Sequence, residues 1–348
     1  MRLQPKVLTT FATQKPVFKA GAMKPDKLAI ELLRPEINRP SAWSIPKVLR
    51  ALEPDGIGGE VDTTTVFLTG AECPFRCSMC DLWQYTSLGN TPVGAIPFQL
   101  AQVLKPESSN GRRWLKLYNA SNFFDPRSIP TEDLNAIAEH CSPFERVIVE
   151  NHPRFCDDRM AAFSKAIPGQ LEVAMGLESI HPNAIEIMNK RMTLADFDRA
   201  VAKCQCLNID VRVFVLLHPP GVDQKEAVEW TRNTVAYAME RRVRHVSIIP
   251  VRAGNGWIDR LIDTEGYQLP TVSMIRELYK TFSRSEISSV GVSSAGSTTI
   301  EFDLWDYENW QGGCPECRDS LVKHIALCNR EQRILPQDET EIRCECTV

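Results

Sequence analysis

Short apolar or β-branched runs alternate along the middle of the chain with longer segments whose apolar residues recur at helical spacing. The six runs, which we interpret as strands, are residues 64–68, 114–118, 146–149, 171–175, 211–217 and 245–249. The amphipathic segments between and after them lie near residues 97–106, 131–140, 157–167, 193–207, 223–240 and 271–282. Because parallel strands need long crossover connections, this alternation predicts βαβ units and an α/β fold, a partial (βα)6 TIM-type barrel.

The pattern changes at both ends of this region. Prolines interrupt residues 1–60 repeatedly, and we interpret this segment as an irregular or short-helical lead-in. The segment after residue 285 is rich first in Ser and Gly and then in aromatic residues and Cys. The predicted organisation is therefore a lead-in of residues 1–60, a core barrel of residues 61–285 and a small Cys-rich C-terminal subdomain of residues 286–348.

Composition is that of an ordinary globular protein. Apolar residues make up 43% and charged residues 24% of the 348 residues, and the formal net charge is -4, which gives no general attraction to nucleic acid or membranes. No apolar run approaches the roughly 20 residues that span a bilayer, and the N-terminus lacks the apolar stretch of a secretory signal. We therefore expect a cytoplasmic protein whose twelve cysteines are reduced and serve in part as metal ligands.

Three cysteines follow the first predicted strand closely. Cys73, Cys77 and Cys80 share one loop at the carboxyl end of that strand, the edge at which barrel enzymes carry their chemistry. Three thiolates can bind three irons of a [4Fe-4S] cluster, which ordinarily has four cysteine ligands, so that one iron stays open. The alternative is a structural zinc loop, which needs a fourth ligand that the adjacent Asp81 is poorly placed to supply.

Acidic side chains mark the ends of two later strands. Glu150 follows the third predicted strand and Glu178 the fourth. A carboxylate directly after a buried run is costly unless it is paired, so each acid is either a salt-bridged structural residue or a ligand-binding one. Two acids at consecutive strand ends favour a binding site at this edge of the barrel.

The spacing Cys-x3-Cys-x2-Cys after a first strand resembles the signature of the radical S-adenosylmethionine (SAM) superfamily. The resemblance implies a [4Fe-4S] cluster on the three cysteines and SAM as the second cofactor, cleaved reductively to a 5′-deoxyadenosyl radical that abstracts hydrogen from a substrate. Met79 stands where the superfamily usually has an aromatic residue against the adenine of SAM. The other residues that the resemblance implies in SAM binding are Asn119, Ser121, Glu150, Gly176, Glu178, Ser179 and Pro250.

Two finer resemblances concern the branch of the superfamily. Residues 176–179 are similar to a segment of the branch that contains the Elongator catalytic subunit, and residues 62–262 resemble the archaeosine synthase radical subunit group in motif order. That group acts on a lysine-modified deazaguanine base, so the resemblance implies a tRNA base or modified nucleoside as substrate and a flavodoxin- or ferredoxin-like electron donor. The alternatives are a radical SAM enzyme for a small molecule or peptide, and a non-catalytic zinc-binding interaction module.

A second group of cysteines lies near the C-terminus. Cys314 and Cys317 form one close pair, and Cys344 and Cys346 form another. Two such pairs resemble a structural zinc site in which each pair holds one edge of a tetrahedron. An auxiliary iron–sulfur cluster and incidental thiols are the alternatives.

Overall fold

An eight-stranded sheet, with its strands in chain order, forms the centre of the structure. The computed structural model describes residues 25, 27–56, 59–104, 113–284 and 298–332. The strands are β1 (Lys47–Pro54), β2 (Glu60–Phe67), β3 (Arg113–Tyr118), β4 (Arg146–Glu150), β5 (Gln170–Glu178), β6 (Asp210–Leu217), β7 (His245–Pro250) and β8 (Thr299–Phe302). β1 pairs antiparallel with β2, and every later neighbour pairs in parallel.

The crossovers between the parallel strands contain helices that cover the outer face of the sheet. In the described part of the chain the helices are α1 (Lys27–Leu32), α2 (Ala95–Val103), α3 (Leu134–Cys141), α4 (Asp158–Ala166), α5 (Pro182–Ile187), α6 (Leu194–Cys206), α7 (Ala227–Glu240), α8 (Trp257–Glu265), α9 (Val272–Arg284) and α10 (Pro315–Glu331). The last of them, α10, packs on both β8 and β1 and so lies across the two edges of the sheet. None of the described helices is long and apolar enough to cross a membrane.

Both faces of the sheet are covered, which explains its continuous apolar runs. In β4, Val147 and Val149 join the main core with the helices, whereas Ile148 packs on the opposite face with Trp114 and Ala174. The six predicted strands correspond to β2–β7, and the prediction of an α/β fold with a partial TIM-type barrel is confirmed.

The sheet also extends across the two predicted domain boundaries. β1 lies inside the predicted lead-in, and β8 lies inside the predicted C-terminal subdomain. Most side chains of β1 are exposed, and charged residues interrupt its apolar ones, so the strand lacks the apolar run by which β2–β7 were predicted. The lead-in therefore contains both the predicted short helix, α1, and an edge strand of the sheet.

A buried ionic cluster occupies the inner face of the sheet near the amino ends of the strands. Glu172 accepts hydrogen bonds from Arg146 at 2.9 Å, Arg212 at 2.8 Å and Arg244 at 2.7 Å. Burial alone would raise the pKa of Glu172, but the three guanidinium groups hold it well below its usual range. This end of the barrel is thus filled by paired charges, and the carboxyl ends of the strands are left for a binding site.

Candidate active site at the carboxyl ends of the strands

The cysteine loop, residues 69–81, follows β2 and is fastened by distant parts of the chain. The Ser78 backbone N–H donates to the Met188 carbonyl at 3.0 Å, and its hydroxyl donates to the Ile187 carbonyl at 2.9 Å. From the other side, the Asn255 amide donates to the Ser78 carbonyl at 2.7 Å. These bonds join the loop to the end of α5 and to the turn before α8, so its shape depends on the assembled barrel.

Glu72, directly before the first cysteine, is held by three arginines. Its carboxylate lies 2.7 Å from Arg34, 2.9 Å from Arg39 and 2.9 Å from Arg76. Arg34 and Arg39 also lie over the ring of Trp83, at 4.6 and 4.9 Å from its centroid. Because Arg34 and Arg39 belong to the lead-in, that segment supports the cysteine loop directly.

The thiols of Cys73, Cys77 and Cys80 lie close enough to influence one another electrostatically. Burial raises the pKa of all three thiols, that of Cys77 to about 12. Neighbouring thiolates also contribute to the raised pKa of Cys77 and Cys80. The Asn122 amide donates to Cys73 Sγ at 3.2 Å, and the Lys190 ammonium opposes the rise at Cys73 and Cys77. Cluster ligation therefore has to release the thiol protons, as binding to thiolates requires.

Within residues 27–56, 59–104, 113–284 and 298–332, no three Cys, His, Asp or Glu side chains are arranged to hold one metal ion. A [4Fe-4S] cluster uses its thiolates differently, since each binds a separate iron of the cubane. Three neighbouring soft thiols, with an amide donor and an ammonium beside them, are a donor set that fits such a cluster.

Glu178 and Lys190 form a buried ion pair next to this loop. Their carboxylate and ammonium are in hydrogen-bond contact, and each side chain is 9% exposed. Burial alone would lower the pKa of Lys190, but Glu178 and the nearby cysteines raise it, so the ammonium stays charged. A Cβ at Gly176 would lie 1.9 Å from Glu178 Oε1 and 2.2 Å from Lys190 Nζ. A side chain at residue 176 would therefore displace the ion pair from this position.

Three predicted site residues carry buried polar atoms that lack hydrogen-bond partners among the described residues. These atoms are Asn119 Oδ1, Ser121 Oγ and Glu150 Oε2. Asn119 is anchored through its amide, which donates to Ser128 Oγ at 3.0 Å, and Glu150 accepts from the backbone of Asn119 and Ala120. Buried polar atoms are normally paired, so these acceptors at the ends of β3 and β4 are available to a ligand with N–H or O–H groups.

Burial raises the pKa of Glu150 to about 7, more than its two backbone hydrogen bonds lower it. The folded protein therefore holds the proton more tightly than the unfolded chain, and this stabilisation is present below about pH 4.5 and lost as pH rises through about 7. We expect the unfolding free energy of the wild type, relative to Glu150→Gln, to fall by at most about 3 kcal/mol between pH 5 and 8. Urea unfolding across this range measures the difference, and Glu229→Gln, on the exposed side of α7, is the control. If the unfolding free energy of the wild type differs from that of Glu150→Gln by a constant amount between pH 5 and 8, the raised pKa assigned to Glu150 is wrong.

Left-handed backbone conformations occur at the carboxyl ends of three strands. Ala120 follows β3 with φ 52°, Glu178 ends β5 with φ 63°, and His218 follows β6 with φ 56°. Residues with a side chain avoid this region, at a cost of about 1–2 kcal/mol each. Such conformations cluster where a site needs a defined direction of the chain, and here they share one edge of the barrel.

The remaining predicted residues lie nearby without joining the ion pair or the thiols. Met79 is partly buried against the main core, and Pro250 ends β7 opposite Leu217. The Ser179 hydroxyl accepts from the His181 backbone N–H at 3.1 Å and so shapes the start of α5. Their assignment to SAM binding stays a prediction.

Two residues of this site were missed from the sequence. Lys190 lies in the turn between α5 and α6, where a lysine beside Arg191 gives no sign of burial. Asn122 is part of the polar string after β3, and it both donates to Cys73 Sγ and accepts from the His152 backbone N–H at 2.8 Å. In the sequence, the position of Asn122 next to Ser121 was the signal that could have identified it as a site residue.

Of the two predicted C-terminal cysteine pairs, the structure describes only Cys314 and Cys317. Cys314 precedes α10 and its thiol accepts from the Cys317 backbone N–H at 3.5 Å. Cys344 and Cys346 lie outside the described residues. A zinc site or an auxiliary cluster formed by these two pairs stays a prediction.

Comparison with known proteins gives two relatives in sequence, and no family model matches the chain. An uncharacterised protein of Methanocaldococcus jannaschii is 25% identical over 241 residues, 67% of this chain and 62% of the relative. Archaeosine synthase subunit beta of Methanosarcina acetivorans is 24% identical over 183 residues, 49% of this chain and 53% of the relative. The chain thus spans 62% and 53% of the length of these two curated relatives.

Solved structures with a similar fold include two proteins of the radical SAM type. One is the radical SAM methyltransferase TsrM from Kitasatospora setae, solved with tryptophan and a SAM analogue, with a TM-score of 0.41, 20% identity and coverage of 62% of this chain and 40% of that one. The other is the Elongator catalytic subunit of Methanocaldococcus infernus, with a TM-score of 0.44, 12% identity and coverage of 71% and 58%.

The predicted resemblance to radical SAM proteins is thus found again among the structures of similar fold and, for archaeosine synthase subunit beta, in sequence.

Proposed function

We propose that the protein is a radical SAM enzyme whose [4Fe-4S] cluster is held by Cys73, Cys77 and Cys80. The observation that carries the proposal is that these three thiols share the carboxyl edge of the parallel strands with buried acceptors that lack partners among the described residues. Held by these residues, the cluster would supply an open iron for SAM and the electron for its reductive cleavage to methionine and a 5′-deoxyadenosyl radical, which would take a hydrogen atom from a substrate.

The side chains around the loop suit the charges of SAM. Its ammonium group needs hydrogen-bond acceptors, and Asn119 Oδ1 and Glu150 Oε2 are buried and lack partners in the described part of the protein. Its carboxylate needs a cation, and Lys190 is the ammonium that lies beside the cysteines. Met79 is partly buried in the same loop and offers a polarizable surface to the adenine ring.

The protein also has to restrict where the radical reacts. The left-handed conformations at Ala120, Glu178 and His218 fix the edge around the loop, and Asn255 and Met188 hold the loop itself. A rigid edge would position the reacting groups and so limit side reactions of the radical.

We further propose that a flavodoxin- or ferredoxin-like protein supplies the electron and that the substrate is a modified nucleoside or a tRNA base. The similarity to archaeosine synthase subunit beta over about half of the chain supports this choice. A small molecule or a peptide is the rival substrate class, and transfer of deuterium from a labelled candidate into 5′-deoxyadenosine distinguishes the two.

Anaerobic reconstitution with iron and sulfide tests the proposed function. We expect broad absorbance near ~400 nm, typical of thiolate-ligated iron–sulfur centres, and release of 5′-deoxyadenosine from SAM after addition of dithionite. Binding of zinc alone, with no 5′-deoxyadenosine, would contradict the proposal and favour the non-catalytic zinc module.

A further inference from the structure

A cavity of about 230 Å³ opens on the other side of His152 from the cysteine loop. Its walls come from α6 and from the turn after β4. Four cationic side chains and a single carboxylate, Asp196, line it; the cations are Arg154, Arg191, Arg199 and Lys203. We name this feature the cation cavity. Its excess of positive charge contrasts with the net charge of -4 for the whole chain.

The carboxylates near the cation cavity already have partners. Asp196 caps α6 by accepting from the Thr193 backbone N–H at 2.9 Å, and it also contacts Arg199. Asp158, which is fully exposed, lies 3.7 Å from Lys203 Nζ. Arg154 and Arg191 are exposed and form no ion pair with an acidic side chain among the described residues. Their guanidinium groups are therefore available to an anion from outside.

A phosphate group fits this arrangement better than a carboxylate does. Several cations on different sides of a small cavity match a tetrahedral, multiply charged anion, and guanidinium groups bind its oxygens in pairs. Along α6 the wall of the cavity runs from Asp196 in the first turn to Lys203 in the last, so the cations are spread along the helix.

His152 joins the cation cavity to the candidate active site. Its Nδ1 accepts from the Arg154 backbone N–H at 3.1 Å, so its Nε2 carries the proton and donates to the Lys190 carbonyl at 3.0 Å. Burial lowers the pKa of His152 to about 3, which keeps this neutral form. Its ring stacks on Phe75 of the cysteine loop, with centroids 3.9 Å apart. One imidazole therefore separates the cavity from the loop.

We propose that the cation cavity binds a phosphate group of the molecule on which the radical acts. The inference rests on the proposed function for the identity of that molecule, and on the cavity residues alone for the phosphate. A phosphate held here stays at the rim, while the adjoining part of the substrate reaches over His152 to the carboxyl ends of the strands. The phosphate belongs to a mononucleotide or to a polynucleotide backbone.

Calorimetric titration of the reconstituted full chain with inorganic phosphate, adenosine monophosphate and a short single-stranded RNA tests this site. We expect Arg154→Gln/Lys203→Gln to weaken binding of the phosphate-bearing probe about tenfold and to reduce the slope of log affinity against log salt by about 1 for each lost contact. Lys165→Gln/Lys225→Gln, which removes two exposed charges elsewhere, should bind as the wild type does. Arg154→Lys retains the charge and should bind within a few-fold of the wild type.

The outcomes distinguish a mononucleotide from a polynucleotide as the source of the phosphate. They also distinguish failure of the phosphate proposal from failure of the proposed radical SAM function. RNA that binds much more tightly than adenosine monophosphate assigns the cavity to a polynucleotide, and equal affinity assigns it to a mononucleotide. Equal loss in the cavity and control variants, or polyglutamate that binds as tightly as RNA, overturns the phosphate assignment. 5′-Deoxyadenosine release by the wild type is measured separately, so a failure of the radical chemistry leaves the result on the cavity intact, and the reverse also holds.

Discussion

Replacing Cys77 with alanine is expected to abolish both the absorbance near ~400 nm of the reconstituted protein and the release of 5′-deoxyadenosine from SAM. Cys77 is the middle proposed ligand of the loop. Cys73 and Glu178 raise the pKa of its thiol, and Lys190 lowers it. Two thiolates cannot hold three irons of a cubane, so the change removes the cluster rather than weakening it. Anaerobic absorbance, iron content and chromatography of the SAM products measure the effect.

The matched control for this variant is Cys206→Ala. Cys206 is exposed at the end of α6, away from the loop, so its loss should change neither the iron content nor the SAM products. A Cys77→Ala protein that retains iron, sulfide and 5′-deoxyadenosine release would show that the loop does not hold the cluster. Equal losses in both variants would indicate damage from the treatment rather than from the ligand.

Replacement of Lys190 by methionine is expected to destabilise the protein by about 3–5 kcal/mol, because it leaves Glu178 buried without its partner. The ammonium and carboxylate are each 9% exposed, so water cannot replace the lost contact well. SAM affinity should fall as well, because Lys190 is the cation proposed for the SAM carboxylate. Urea unfolding and equilibrium binding of SAM to the reconstituted protein measure the two effects.

A second substitution separates stability from binding. In Lys190→Met/Glu178→Gln the uncompensated charge is removed, so most of the lost stability should return, since neutral replacements of a buried pair are often tolerated. SAM binding should remain weak, because the cation is still missing. If SAM affinity recovers together with stability, Lys190 acts only through the fold and its proposed role in binding is wrong.

The fold was predictable because a sheet covered on both faces has apolar residues at every strand position. Val147, Ile148 and Val149 illustrate this, since they pack on alternate faces and all three are buried. At most one face of the edge strand β1 is covered. Its exposed side chains include those of Lys47 and Arg50. Charged residues interrupt its apolar ones, so the sequence gave no clear strand signal, and its pairing with β2 follows from tertiary structure.

The location of the candidate site was predictable only in part, because it depends on the positions of the strand ends. Residues near the end of a strand inherit its position, so Asn119, Ser121 and Glu150 could be placed at the carboxyl edge. Each has a buried polar atom without a partner among the described residues, and their role in binding stays a prediction. Lys190 lies twelve residues after its partner Glu178, and an entire helix, α5, separates them. A contact of this kind depends on the path of the chain, which local pattern does not reveal.

The cysteine loop is held by residues that lie far apart in the sequence. The stage of synthesis at which the loop can bind a cluster therefore depends on how much of the chain has been made. Arg34 and Arg39 leave the ribosome before Glu72, but the amide that holds Ser78 belongs to Asn255, 177 residues further along the chain. Until that residue has been made, the three thiols lie on a loop that lacks one of its supports. We therefore expect cluster insertion to follow synthesis of at least the first 255 residues, and nascent chains cut short before Asn255 to take up iron poorly.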